Sequence, residues 1–143
     1  MTTTYVAARP VPLHPLHAIF LAFPLPLFLG ALLSDYAYTS SYQVQWVNFA
    51  QWLLAGGLLI GALAVIWAVV GVVRSEPAGK GRHVAYLVVL LAMWILGLVD
   101  SFIHAKDAFA SMPAGLYVSA IVTLLALIAA WIGYSGFQTV EVQ

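Results

Sequence analysis

Two ionisable side chains near the end of the third apolar stretch, Asp100 and His104, are four residues apart. On a helix this spacing places both side chains on one face, where the carboxylate orients the imidazole ring. Asp35 ends the first apolar stretch, and we expect it at the same level as this pair. Two carboxylates and one imidazole could bind a divalent metal ion or a proton. The alternative is a buried polar network that joins the helix ends.

Histidines form a second candidate site, at the opposite ends of the same stretches. His17 begins the first stretch and His83 begins the third, so the two imidazoles would lie on different helices at a similar depth. That arrangement suits bis-His ligation of haem b, with Arg82 and His14 as further candidates beside the cofactor. The alternative is that these histidines lie at the membrane interface, where an amphipathic side chain is well accommodated, or cap the helix ends.

The composition is that of a protein that lies in lipid. Of the 143 residues, 64% are hydrophobic and 7% are charged, against about a quarter charged in soluble domains. The formal net charge is zero, which gives no reason to expect a nucleic-acid partner. The chain contains no Cys, which excludes disulfides, thiolate metal sites and iron–sulfur clusters. No phosphate-binding loop, nucleophile elbow or metalloprotease motif is present, so we expect no enzyme.

Four apolar stretches are long enough to cross roughly 30 Å of hydrocarbon as helices. They run over about 16–34, 47–73, 84–103 and 114–134. The sequence therefore predicts an all-α, integral membrane four-helix bundle that forms a single domain over residues 1–143. Its surroundings would be the lipid bilayer.

Basic residues mark one side of the membrane. Four of them precede the first stretch or lie between the second and third: Arg9, Arg74, Lys80 and Arg82. The other side has only Lys106. By the positive-inside rule, both chain termini and the 74–82 loop are cytoplasmic, and the loops at 35–46 and 104–113 face outwards.

Small residues and prolines predict details of the packing. Gly57 and Gly61 are four residues apart on the second stretch, a spacing that lets another helix approach closely. That helix is either a neighbour in the same chain or the same face of a second copy, in a homo-oligomer. Pro24 and Pro26 lie inside the first stretch, and we expect them to kink its helix.

Several segments, taken in order, resemble one bacterial family. The opening HPLHAIFLAFPLPLFLGALLSD resembles the start of the predicted membrane proteins known as domain of unknown function 2231, with a His-Pro-x-His element, Phe-Pro and a closing Asp. The segments WVNFAQWLLAGGLLIGALAV and MPAGLYVSAIVTLLALIAAWIGYSG are similar to the second and last spans of that family. The family often has a His early in its third span, near Tyr86 of this chain. The resemblance implies four spans and a bacterial inner membrane, and it implies no activity.

These observations favour a small non-enzymatic inner-membrane module, an accessory subunit or sensor with a polar site at one end of the bundle. Its partner would be a larger membrane complex or a second copy. The first alternative is an electron-transfer subunit that binds haem b, the one cofactor that the sequence suggests, through His17 and His83. The second alternative is a component of a divalent-metal or proton-coupled transporter that uses Asp35, Asp100 and His104.

Overall fold

The computed structural model describes residues 8–10, 13–77, 79–135 and 137–139. The elements follow in the order β1 Ala8–Pro10, α1 Pro15–Ala22, α2 Pro24–Ser41, α3 Val44–Arg74, α4 Lys80–His104, α5 Ala108–Ser111, α6 Ala114–Tyr134 and β2 Phe137–Thr139. The short strands β1 and β2 pair antiparallel, with Ala8 opposite Thr139 and Pro10 opposite Phe137.

Four segments are long and apolar enough to cross a membrane, namely α1 with α2, α3, α4 and α6. They pack in the cyclic order α2, α3, α4, α6, with each helix against two others. The predicted all-α bundle with four spans is thereby confirmed. We call the end of the bundle that carries Arg74, Lys80 and Arg82 the basic end. The opposite end, which carries Asp35, Asp100 and His104, is the acidic end.

Two helices extend further at the acidic end than the sequence predicted. Helix α2 continues to Ser41 and α3 begins at Val44, so most of the predicted 35–46 loop is helical. Tyr42 turns the chain between them, with a left-handed φ of 56°. The hydroxyl groups of Thr39 and Ser41 each donate to a carbonyl oxygen of the preceding turn at 2.7 Å. These polar residues therefore extend the helix into the interface, because the backbone of their own helix satisfies their hydrogen bonds.

The first span is interrupted at the place where the prolines predicted a kink. The helix is interrupted at Phe23, between Ala22 and Pro24. Pro24 and Pro26 have no N–H to donate to the preceding turn, so two helical hydrogen bonds are missing there. Pro24 is buried, and a Cβ atom added at Gly61 would lie 3.9 Å from its Cγ. Pro24 therefore packs against α3 at Gly61.

The buried positions of the spans alternate between spacings of three and four residues. In α4 they are Tyr86, Leu90, Met93, Gly97, Asp100 and His104. In α6 they are Gly115, Ser119, Val122, Ala126 and Ala129. This is the heptad pattern of helices that wind around one another in a left-handed bundle. Polar residues near the span ends that occupy these positions face the interior of the bundle, as Leu and Val do at the same positions.

Phe28 and the glycines around it fill the centre of the bundle. A Cβ atom at Gly57 would lie 2.7 Å from Phe28 Cε1, and one at Gly97 would lie 3.4 Å from Phe28 Cζ. Gly61 packs against Met93 in the same way, at 3.6 Å. The face of Gly57 and Gly61 is therefore occupied by neighbours in the same chain. Packing within the chain, the first of the two alternatives, thus accounts for the close approach at this face, and a homo-oligomer stays a prediction.

Candidate functional site

The acidic end of the bundle contains three buried ionisable side chains. Asp35 comes from α2, and Asp100 and His104 come from α4. All three lie at interior heptad positions, and the exposed fraction of each is 0%. The sequence predicted that they lie at one level, and the structure brings them into direct contact.

His104 lies between the two carboxyl groups. Its Nε2 atom is 2.7 Å from Asp35 Oδ1. Its Nδ1 atom is 3.0 Å from the backbone carbonyl oxygen of Asp100 and 3.2 Å from Oδ1 of the same residue. Because a carbonyl oxygen can only accept, the contact requires a hydrogen on Nδ1. Both nitrogen atoms thus hold the ring, one against α2 and the other against its own helix.

Ser119 of α6 connects the same two carboxyl groups from a third span. Its Oγ atom lies 2.6 Å from Asp35 Oδ2 and 2.7 Å from Asp100 Oδ2. Sequence reasoning missed Ser119, since a lone Ser in an apolar helix commonly bonds to its own backbone. Its position in the heptad pattern, four residues after Gly115 and three before Val122, could have predicted that Ser119 faces the interior of the bundle.

The remaining span and a close helix contact complete this arrangement. The side-chain amide of Gln51 in α3 donates to the backbone carbonyl of His104. On α6, a Cβ atom at Gly115 would lie 2.8 Å from His104 Cε1, so the ring needs a glycine opposite it. We name the four side chains the acidic-end network: Asp35, Asp100, His104 and Ser119. Through this network and Gln51, all four spans are joined at one level.

The acidic-end network needs one more hydrogen than two ionised carboxylates and one hydroxyl group can provide. The Ser119 hydroxyl has a single hydrogen, so it can donate to only one of the two carboxyl groups. Asp35 also faces the ring nitrogen of His104 with its other oxygen. Every contact is satisfied if Asp100 donates to Ser119, Ser119 donates to Asp35, and His104 donates to Asp35. The site then contains one carboxylate, one imidazolium and one neutral carboxyl group, with no net charge.

This geometry differs from that of a metal site. A metal ion needs a ring nitrogen and carboxylate oxygens that converge on one point, whereas the two nitrogens of His104 face different partners. Within the described residues, no group of three or more His, Cys, Asp or Glu side chains could hold a metal ion. The geometry therefore gives no support to the predicted divalent-metal site at Asp35, Asp100 and His104.

At the basic end, His17 is buried against aromatic neighbours. Its exposed fraction is 4%, and its Nε2 atom lies 2.9 Å from the hydroxyl oxygen of Tyr86. Its ring stacks on that of Trp67, with centroids 5.8 Å apart and planes 12° apart. Tyr86 thus occupies the position at Nε2 where a haem iron would bind. Tyr86 also lies near the position in the third span where the family resemblance predicts a His.

The other three residues of the predicted haem site have separate structural partners. His14 caps α1, because its Nδ1 accepts from a backbone N–H at 3.3 Å. The Nδ1 of His83 lies 3.1 Å from a carbonyl oxygen at the start of its own helix. Arg82 donates to a carbonyl oxygen near the end of α6 at 2.8 Å. Capping therefore describes His14 and a contact with the start of its own helix describes His83, whereas His17 is buried; haem ligation by His17 and His83 stays a prediction.

Comparison with known proteins agrees with this architecture. The family model described as predicted membrane protein (DUF2231) matches residues 13–142. No curated protein and no solved structure matches the chain. The chain therefore belongs to the DUF2231 family of predicted membrane proteins, as its His-Pro-x-His opening and the order of its segments suggested.

Proposed function

We propose that this DUF2231 protein is a small non-enzymatic membrane module that senses protons, and that the acidic-end network is its sensing element. The observation that carries the proposal is the contact at Ser119, where one hydroxyl group lies between two carboxyl groups. A contact set that is complete only with a hydrogen on one carboxyl group is a binding site for a proton.

The burial of the network supports a sensor and argues against an enzyme. Exposed fractions of 0% for Asp35, Asp100 and His104, and of 1% for Ser119, leave no atom that a substrate could touch. A proton needs no such opening, because brief local separations of the helix ends admit water to buried groups. The site is therefore suited to a ligand no larger than a proton.

Among the residues that the structure describes, the titratable groups in contact within the site come from two of the four spans. They are Asp35 on α2, and Asp100 and His104 on α4. The other two spans contribute the uncharged side chains of Gln51 and Ser119. The two charged side chains directly after α4, Lys106 and Asp107, are exposed to solvent. Any response of the buried site to pH is therefore expected from its own carboxyl and imidazole groups.

Loss of the proton from the neutral carboxyl group beside Ser119 would change the packing of three helices. With both carboxyl groups ionised, two negative oxygens face a hydroxyl group that has one hydrogen, 2.6 and 2.7 Å away. The unpaired contact is repulsive, and in a poorly solvated site that repulsion is weakly screened. It separates α2, α4 and α6 at the acidic end. A change of one proton is thereby converted into a change of helix packing that a partner subunit can read.

The direction of sensing follows from the positions of the basic residues. With Arg74, Lys80 and Arg82 in the cytoplasm, the acidic end lies at the outer surface of the inner membrane. The module then reports the pH outside the cytoplasm. This orientation and this membrane are part of the proposal.

A distance measurement between spin labels tests the proposal. The chain contains no Cys, so two introduced cysteines are the only labelling sites. The pair Tyr36→Cys and Tyr117→Cys reports on α2 and α6 at the acidic end, at positions that are 66% and 65% exposed. In lipid nanodiscs, we expect the distance between the labels to increase as the pH is raised.

Matched controls separate sensing from general swelling of the bundle. The pair Ile19→Cys and Trp131→Cys labels the same two spans at the basic end, where the exposed fractions are 51% and 76%, and its distance should not change. The variant Asp100→Asn keeps a hydrogen beside Ser119 at every pH, so its acidic-end distance should stay short. A pH-independent distance in the parent protein, or an equal response in Asp100→Asn, would contradict the proposal.

A further inference from the structure

A groove on the lipid-facing side of the bundle lies at the basic end, far from the acidic-end network. Its walls come from Phe20 of α1 and from one face of α3 that includes Leu63, Trp67, Gly71 and Arg74. Gly71 has no side chain, and this leaves a notch beside the His83 ring, whose Cδ2 atom would lie 3.5 Å from a Cβ atom added at Gly71. The groove thus runs along α3 from apolar residues at membrane depth to a single cation.

Arg74 gives this groove a polar end. It is the last residue of α3 and is exposed, and among the described residues no carboxylate or carbonyl group is paired with its guanidinium. Ile66 and Val70, which also line the groove, are 60% and 41% exposed, so they face outwards to lipid. An apolar groove that ends in an exposed guanidinium is complementary to an amphipathic anion, which has an apolar chain and a negatively charged head group.

We infer that this groove binds one acyl chain of an anionic phospholipid, with the lipid phosphate on Arg74. The acyl chain lies along Leu63, Trp67 and Gly71, and the head group lies at the level where α3 leaves the membrane. Charge complementarity selects the occupant, because a guanidinium binds phosphate through paired hydrogen bonds and the rest of the lining is apolar. This site is independent of proton sensing at the acidic end.

Quenching of Trp67 fluorescence by brominated lipid tests the inference. Trp67 is one of five tryptophans, and replacing the other four by Phe leaves it as the only reporter. The protein is reconstituted in phosphatidylcholine with increasing fractions of chain-brominated phosphatidylglycerol or chain-brominated phosphatidylcholine. We expect half-maximal quenching at about fivefold less of the anionic lipid, the preference that one basic residue near the surface provides.

Three variants decide between a specific site and ordinary surrounding lipid. Arg74→Gln should abolish the preference for the anionic lipid, whereas Lys80→Gln, at the same end but outside the groove, should retain it. Gly71→Leu should fill the notch and reduce quenching by both lipids. Equal quenching by the two lipids in the parent, or an unchanged preference in Arg74→Gln, would overturn the inference. Native mass spectrometry of retained phospholipid on the protein with all its tryptophans provides the same comparison if the single-Trp protein folds poorly.

Discussion

At the scale of single residues, the acidic-end network assigns different roles to two aspartates. Asp35 receives contacts at both of its oxygens, from His104 Nε2 at 2.7 Å and Ser119 Oγ at 2.6 Å. Asp100 has one oxygen on Ser119 at 2.7 Å, and its other oxygen lies 3.2 Å from the His104 ring. An ionised carboxylate therefore suits Asp35, and a carboxyl group that donates suits Asp100.

This asymmetry predicts unequal costs for the two Asp→Asn variants. Asp35→Asn removes an oxygen acceptor and places an amide where only acceptors fit, so we expect a loss of about 2–3 kcal/mol of stability. Asp100→Asn preserves the donor to Ser119 and should change stability by less than about 1 kcal/mol. Unfolding of the purified variants in detergent measures both values. Equal costs, or a larger cost for Asp100→Asn, would contradict the assignment.

Ser119 provides a second test at this scale. Ser119→Ala removes the only hydroxyl group between the two carboxyl groups and should destabilise the protein by about 1–2 kcal/mol, at the upper end for a membrane hydrogen bond. Ser34→Ala is the matched control, because Ser34 is also buried but its hydroxyl donates to a carbonyl of its own helix at 2.8 Å. Thermal unfolding should show little change for Ser34→Ala. The same loss in both variants would mean that Ser119 has no special role.

At the scale of the helices, close packing of large and small residues replaces the hydrophobic effect. Lipid is as apolar as the interior of the bundle, so burying Phe28 gains little from the exclusion of water. The gain comes from contact with Gly57 and Gly97, which allow the ring to fill the space between α3 and α4. The helices therefore depend on the shapes of these positions.

Two adjacent glycines of α3 make a matched pair for this argument. A Cβ atom at Gly57 would lie 2.7 Å from Phe28 Cε1, whereas one at Gly56 would meet Leu27 Cδ1 at an ordinary 3.6 Å. We expect Gly57→Ala to cost about 1–3 kcal/mol through overpacking, and Gly56→Ala to change stability by less than about 0.5 kcal/mol. Unfolding in detergent compares the two. If both variants match the parent, the centre of the bundle is looser than these contacts imply.

The helices also show what the sequence could and could not predict. Length and hydropathy predicted four spans, and the spacing of Asp100 and His104 predicted one shared face, because both depend on local geometry alone. Ser119 and the Tyr86 contact with His17 were not predicted, since each depends on how one helix is rotated and shifted against another. The end of α2 was missed for a different reason: its polar residues look like a loop but bond to their own backbone.

At the scale of the whole molecule, the positions of the basic residues predict how the bundle lies in the membrane. The chain contains no Cys, so one introduced thiol reports on one side. In intact cells, a membrane-impermeant maleimide should label Lys106→Cys, and it should label Glu76→Cys only after the membrane is permeabilised. The reverse pattern would place the acidic-end network in the cytoplasm and would change which pH the module reports.

The most direct test of proton sensing is infrared detection of the shared proton. The chain has only five acidic residues, so carboxyl bands are few. For the reconstituted protein at low pH, we expect a C=O band of a buried, protonated carboxyl group that shifts slowly in D₂O. This band should disappear in Asp100→Asn and persist in Asp107→Asn, since Asp107 is exposed. A spectrum without such a band, or a band unaffected by Asp100→Asn, would show that the network does not hold the proton.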